Sequence, residues 1–162
     1  MRRIVLKVLL VICGFFSGVV FMIYRCGYIL KGEKKRADRF FAYFNLLDRW
    51  LVCKEHNNQF KDYFHKNCIK NVAIYRMGKL GNHLRYELNK AEIKIVYIID
   101  EWEDFIYDRE VHYNIQDELP LVDAVIVTSI DEFETVKSKI LKKNKMLNVI
   151  SLETILDSID GD

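Results

Sequence analysis

Apolar residues fall along this chain in three regimes. From Ile4 to Tyr24 they are nearly continuous, broken only by Lys7, Gly14, Ser17 and Gly18. These twenty-one residues suffice to cross roughly 30 Å of hydrocarbon as a helix rising about 1.5 Å per residue. From Ala37 to His56 the apolar positions Phe40, Phe41, Phe44, Leu47, Leu51 and Val52 trace one face of a helix. Asp48 interrupts that stripe, and Leu46 and Trp50 lie off it. The stripe is expected to pack on the domain that follows, with contact to the bilayer or to a partner helix as the rival reading. Asn57-Asn58 ends the pattern, and Phe60, Tyr63 and Phe64 predict a second short helix before Asn67.

The third regime alternates strand and helix. Val72 to Tyr75 is a buried-strand run, Leu80, Leu84 and Leu88 step by four along a helix, and Ile93 to Ile99 is a second strand. Glu110 to Ile115 reads as a short third strand and Asp123-Ala-Val-Ile-Val-Thr as a fourth. Ser129 and Glu132 have capping-box spacing ahead of a helix with Phe133, Val136 and Ile140 inward. Leu147 to Ile150 is a fifth strand, and Ser151 caps a last helix carrying Leu152, Ile155, Leu156 and Ile159. Apolar strands alternating with helices predict an α/β fold, a parallel sheet covered on both faces. The right-handed crossover rule then favours strand order 3-2-1-4-5. The expected organisation is an anchor over 1–25, a juxtamembrane helical segment over 26–70 and a sheet domain over 71–162.

Composition sharpens this picture at the membrane. Seven Gly and one Pro in 162 residues leave no room for a long flexible linker. The net charge of +2 hides an asymmetry: residues 1–39 hold nine Lys/Arg against two acids (+7), and residues 40–162 hold sixteen against twenty-one (−5). A basic stretch beside an apolar span and an acidic body argue against nucleic-acid binding, which needs a continuous cationic face. Met-Arg-Arg is a fair start for a cleaved signal peptide, yet no small-x-small site follows Phe21-Met-Ile-Tyr-Arg, and Ile12 is too large for lipoprotein processing at Cys13. An uncleaved single-pass anchor is expected. Arg25, Lys31, Lys34, Lys35, Arg36 and Arg39 outnumber Arg2 and Arg3, which keeps the C-terminal body cytoplasmic. Four cysteines without a paired framework fit that reducing compartment.

Candidate chemistry gathers after the first strand. Arg76-Met77-Gly78-Lys79-Leu80-Gly81 has the outline of a phosphate turn, with Gly78 and Gly81 in the second and third glycine places and Arg76 in the first. Glycines there permit a tight turn, close approach to pyrophosphate and close helix–strand packing. The Arg76 side chain either obstructs the ribose space or pairs with a phosphate. Asp100, nineteen residues after Gly81 at the end of strand two, is placed to accept hydrogen bonds from ribose hydroxyls, the other reading being an acid on a solvated loop. The acidic run Asp100-Glu101-Trp102-Glu103-Asp104 repels a 2′-phosphate, so NAD or a nucleotide sugar is expected and NADP disfavoured. Thr128 and Ser129, at the end of strand four, face the same site, although a capping role for Ser129 needs no ligand.

No catalytic set emerges. Tyr75 and Lys79 straddle a turn rather than share a helix face, and His83 and His112 lack an evident acid or nucleophile partner. Cys53, His56, His65 and Cys68 compose a tetrahedral zinc set on paper, but they fall inside apparent helices, where core-facing or solvated roles are the commoner outcome.

The stretches Asn45-Leu-Leu-Asp-Arg-Trp-Leu, Tyr63-Phe, Val72 to Gly81, Tyr97-Ile-Ile-Asp, Asp123-Ala-Val-Ile-Val-Thr and Val149-Ile-Ser-Leu-Glu together resemble a group of small bacterial Rossmann-like proteins. These accompany capsule and exopolysaccharide biosynthesis proteins, and similar units form the nucleotide-binding parts of sugar epimerase/dehydratases and sugar acyltransferases. The resemblance implies a membrane-tethered, cytoplasmic nucleotide or nucleotide-sugar binding module serving a polysaccharide-biosynthesis enzyme partner. The alternative is a non-catalytic interaction or scaffold protein with a degenerate site. The group shows glycine where this chain has Arg76, and no catalytic residue carries over.

Overall fold

The structure, a computed structural model, describes residues 2–55, 60–100 and 111–160. It divides into two compact units, residues 1–41 and 42–162. Helix α1 (Arg2–Glu55) supplies all of the first unit and opens the second. It is long and apolar enough to cross a membrane, and Ile4, Leu10, Phe15, Val20 and Ile23 are among the apolar side chains exposed along it.

The second unit adds α2 (Phe60–Lys66), β1 (Asn71–Tyr75), α3 (Gly78–Lys90), β2 (Lys94–Ile99), β3 (Val111–Tyr113), β4 (Ala124–Val127), α4 (Phe133–Lys143), β5 (Val149–Ser151) and α5 (Leu152–Asp160). The strands form one sheet in the order β3-β2-β1-β4-β5, every pairing parallel. The expected α/β architecture and strand order are therefore present. Near-continuous apolar sequence is what a strand buried on both faces requires. In β1 the alternation is clean: Val72 and Ile74 join one core, Ala73 and Tyr75 the other. The first core is closed by α1, α2, α3 and α5, through Trp50, Phe64, Leu84 and Ile155 among others. The second is closed by α4, through Val136 and Ile140, and by Ile115, Leu119 and Val122. Each of these buried aliphatic side chains contributes about 1.5–3 kcal/mol of burial.

The sheet's lower edge is set by one carboxylate. Asp123 Oδ2 accepts the backbone N–H groups of Lys70 (2.9 Å) and Asn71 (2.8 Å), joining the starts of β1 and β4. These bonds hold its carboxyl below the ordinary carboxylate range. On the other face the Tyr97 hydroxyl donates to Pro120 O at 2.7 Å, and burial, with Tyr113 adding to it, pushes the phenol up to about 12.

Two expectations are corrected. On α1 the residues that enter the core are Leu46, Trp50 and Cys53, together with half-buried Tyr43, whereas Phe44, Leu47 and Leu51 of the expected stripe are exposed. Both sets have helical spacing, and two side-chain ties select between them. Arg49 bonds Glu153 at 2.8 Å and Asp157 on α5, and Lys54 pairs with Glu87 on α3. The second compact unit begins at Ala42, and Leu46, Trp50, Cys53, Phe60, Phe64 and Ile69 join the sheet's core. Second, Ser129 does not cap α4: the helix starts at Phe133 from Glu132, with no side-chain cap bond. Ser151 does cap α5, accepting the Thr154 N–H at 2.9 Å.

Trp50 is 6 % exposed and Leu51 63 %. Trp50→Ala is therefore expected to cost about 3–5 kcal/mol in chemical denaturation in dilute micelles, and Leu51→Ala less than about 0.5 kcal/mol. The Asp123 contribution, from a carboxyl lowered on folding, is present above its unfolded pKa and lost as pH falls through the folded one. Below about pH 4, stability should decline less steeply in Asp123→Asn than in the parent, as acid unfolding followed by circular dichroism would show.

Candidate functional site

Where β1 and β4 lie side by side, their outgoing connections leave for opposite faces, α3 to one core and α4 to the other. Such a divergence opens a crevice beyond the carboxyl ends of the strands, the ordinary ligand position of open α/β sheets. The structure brings every residue expected of the site to that end of the sheet. Arg76 to Gly81 follow β1, Asp100 follows β2, and Thr128 and Ser129 follow β4.

The turn is built as a glycine turn, with an arginine in it. Arg76 adopts φ 64°, a left-handed conformation that glycine takes freely and that costs other residues about 1–2 kcal/mol. Its N–H donates to Ile99 O at 2.8 Å, and its carbonyl accepts the Thr128 hydroxyl. Thr128 also gives its N–H (3.3 Å) and, in a second geometry of the same hydroxyl, its Oγ1–H (3.1 Å) to Tyr75 O, so β4 grips the β1 turn directly. Helix α3 starts at Gly78 without a side-chain cap. Gly81 plays the close-packing role: a Cβ there would stand 3.0 Å from Arg76 O and 3.3 Å from Met77 Sδ.

The Arg76 side chain reaches across the crevice toward α4. Its Nη1 donates to Glu132 Oε2 at 3.0 Å and to Ser129 Oγ at 3.4 Å, bridging from the β1 turn to the start of α4. Ser129 Oγ lies 3.4 Å from the same Glu132 oxygen, and Ser129 is buried. This network explains the absent capping box, since both members of the box are drawn to the guanidinium. Asp100 is engaged too: it accepts the Met77 N–H at 3.3 Å, and its own N–H donates to Tyr113 O at 3.2 Å. Lys79 and Gly78 are exposed on the first turn of α3, while Met77 and Leu80 are buried.

Glu132 is the residue that sequence reading assigns to the wrong task. The available signal was Arg76 itself: a cation at the first glycine place calls for a counter-charge on the facing β4–α4 connection. Beside the network lies a cavity of about 290 Å3, lined in part by Ser129, Asp131, Glu132, Glu134, Ser151 and Glu153. Its carboxylates oppose a phosphate.

The remaining candidates are dispersed. Tyr75 is buried in the sheet while Lys79 is exposed. His83 stacks edge-on to Trp50 at 6.3 Å, a packing role, and His112 is exposed on β3. Cys53 is buried in the core, whereas His65 and Cys68 are exposed, and His56 lies outside the described residues, as does the acidic run beyond Asp100. Among the described residues no three metal-ligating side chains cluster.

The chain matches no protein-family model, and no curated protein or solved structure is significantly similar to it. Its chemistry is therefore read from its own geometry.

Arg76 O is held by Thr128 and cannot retreat from a new methyl group. Gly81→Ala sets a helix-propensity gain of about 1 kcal/mol against overpacking of about 1–3 kcal/mol. A net loss of about 1 kcal/mol is expected, read as a lower denaturation midpoint at unchanged slope.

Proposed function

We propose that this chain is a membrane-tethered, non-catalytic interaction protein, built on a nucleotide-type fold whose ligand crevice is closed by Arg76. The observation that carries the reading is the 3.0 Å contact from Arg76 Nη1 to Glu132 Oε2 across the β1–β4 crevice. In this reading the chain's own cation takes the space that a dinucleotide's pyrophosphate and ribose would need, and Asp100 already holds the Met77 N–H. The acidic cavity alongside adds repulsion toward any phosphate. A body held on the cytoplasmic face by one span, with no catalytic set among the described residues, suits an accessory that positions a polysaccharide-biosynthesis enzyme. That partner class comes from the sequence resemblance.

A second reading has one observation in its favour. The turn keeps φ 64° at position 76, φ 31° at Gly78 and the tight Gly81 contact, which is the backbone shape that a phosphate turn needs. In that reading Arg76 exchanges Glu132 for a phosphate of NAD or a nucleotide sugar, and the module presents the ligand to its partner.

Thermal melting separates the two. A ligand at 100 times its Kd adds about 2.7 kcal/mol to stability. The closed-crevice reading expects no upward shift for the parent with NAD, UDP or a UDP-sugar, and a shift for Arg76→Gly. This variant itself should melt close to the parent, because relief of about 1–2 kcal/mol of backbone strain is offset by a lost exposed ion pair of about 0–1 kcal/mol and by the greater freedom of glycine when unfolded. A shift in the parent would replace the proposal with the second reading.

A further inference from the structure

The apolar stripe that α1 leaves exposed has a second regularity. Leu30, Ala37, Phe40, Phe44, Leu47 and Leu51 occupy positions stepping alternately by four and three, once Glu33 is counted between Leu30 and Ala37. These positions follow the 3.5-residue period of a coiled-coil seam, with exposed Phe41 flanking it. Each unit carries part of it, Leu30, Ala37 and Phe40 in the first and Phe44, Leu47 and Leu51 in the second, and all six are exposed. The opposite side of the helix, Leu46, Trp50 and Cys53, is already used by the sheet domain.

We infer that this seam pairs with the same seam of a second copy, as a parallel homodimer. The inference goes beyond the proposed function and does not depend on the state of the crevice; it shares with it only the membrane anchor.

Four observations select that occupant. The first is the period itself, which two helices wrapped around each other satisfy continuously. The second is distance from the bilayer: Phe40 lies sixteen residues past Tyr24 (40 − 24) on an unbroken helix. That is about 24 Å along the axis, beyond a polar headgroup layer of roughly 5–8 Å. The third is orientation, because two copies inserted the same way in one membrane present the seam in parallel and in register. The fourth is area. Phe40 is 75 % exposed and Phe44 57 %, so two copies bring about 400–650 Å2 of ring surface, and with Leu30, Leu47 and Leu51 added the seam approaches the roughly 1,000 Å2 of a specific contact. Glu33 is the polar exception in the seam. Arg36, one turn on, donates to it at 3.2 Å and offsets its charge, and such a polar seam position fixes register at some cost in stability.

The register makes a chemical prediction. Continuing the same steps four residues before Leu30 reaches Cys26, which is exposed and would face its counterpart. Lys35, on the outer side of the helix, would not. Mild oxidation of the full chain in membranes, with Cys13 and Cys68 changed to Ser, is expected to yield a disulfide-linked dimer through Cys26. A chain carrying Lys35→Cys and Cys26→Ser should cross-link about tenfold more slowly, since a disulfide needs Cα atoms roughly 4.4–6.8 Å apart. Phe44→Asp with Leu47→Asp, both at exposed positions, should abolish the Cys26 cross-link and leave the melting temperature of the body unchanged. Equal rates at the two positions, no Cys26 dimer, or a Cys26 dimer that survives the double aspartate change would each overturn the seam. None of these outcomes bears on nucleotide binding.

Discussion

Because β1 is paired on both edges by parallel strands, it can leave the sheet only through a sharp turn at its carboxyl end. Everything at the candidate site follows from that constraint. The turn must adopt a left-handed residue at position 76, α3 must come down close enough to exclude a Cβ at Gly81, and the divergence of α3 and α4 must open a crevice. In most sheets of this plan the crevice is where a ligand sits. Here the residue that makes the turn also carries a guanidinium, and its partner Glu132 stands on the far side of the gap. Backbone geometry and electrostatics thus cooperate to fill the space from within. Ser129, buried beneath the pair, completes the bridge by accepting from Arg76 at 3.4 Å.

Much of the fold was legible because parallel strands buried on both faces leave a strong signal. Val72–Tyr75, Ile93–Ile99 and Ala124–Val127 are nearly uninterrupted apolar runs, and the leucines at 80, 84 and 88 admit only a helix. Ser151 was readable as a cap because nothing competes for its hydroxyl except the helix that it starts. What failed, failed where two local signals of equal quality had to be decided by distant charges. On α1 the stripe Phe40–Phe44–Leu47–Leu51 and the stripe Leu46–Trp50–Cys53 both repeat at helical spacing, and the first is the more apolar. Arg49 and Lys54 turn the second toward the sheet by pairing with α5 and α3, partners about a hundred and about thirty residues away, which no local window contains. The Ser129–Glu132 box failed for the same kind of reason: its spacing was right, but Arg76, fifty-three residues earlier than Ser129, claims both side chains.

Under the proposed function, the apolar helix and the sheet domain answer one requirement, that a small body act by position. In that proposal the apolar helix would fix the body near a bilayer, the exposed leucines and phenylalanines of α1 would offer a face to another helix, and the Arg76 bridge would keep nucleotides out of the crevice. Acidic side chains dominate the body and basic ones the stretch next to the span, a charge separation that keeps the body in solution while the helix stays against an anionic surface.

The claim on which this account turns is the Arg76–Glu132 bridge, and the guanidinium can be watched directly. Nuclear magnetic resonance of the full chain in micelles, with arginine side chains labelled with nitrogen-15, should show an Arg76 signal in slow rotational exchange. That signal should move on Glu132→Gln and stay in place when NAD or a UDP-sugar is added. A rotationally averaged Arg76 signal that ignores Glu132 and shifts with nucleotide would contradict the account.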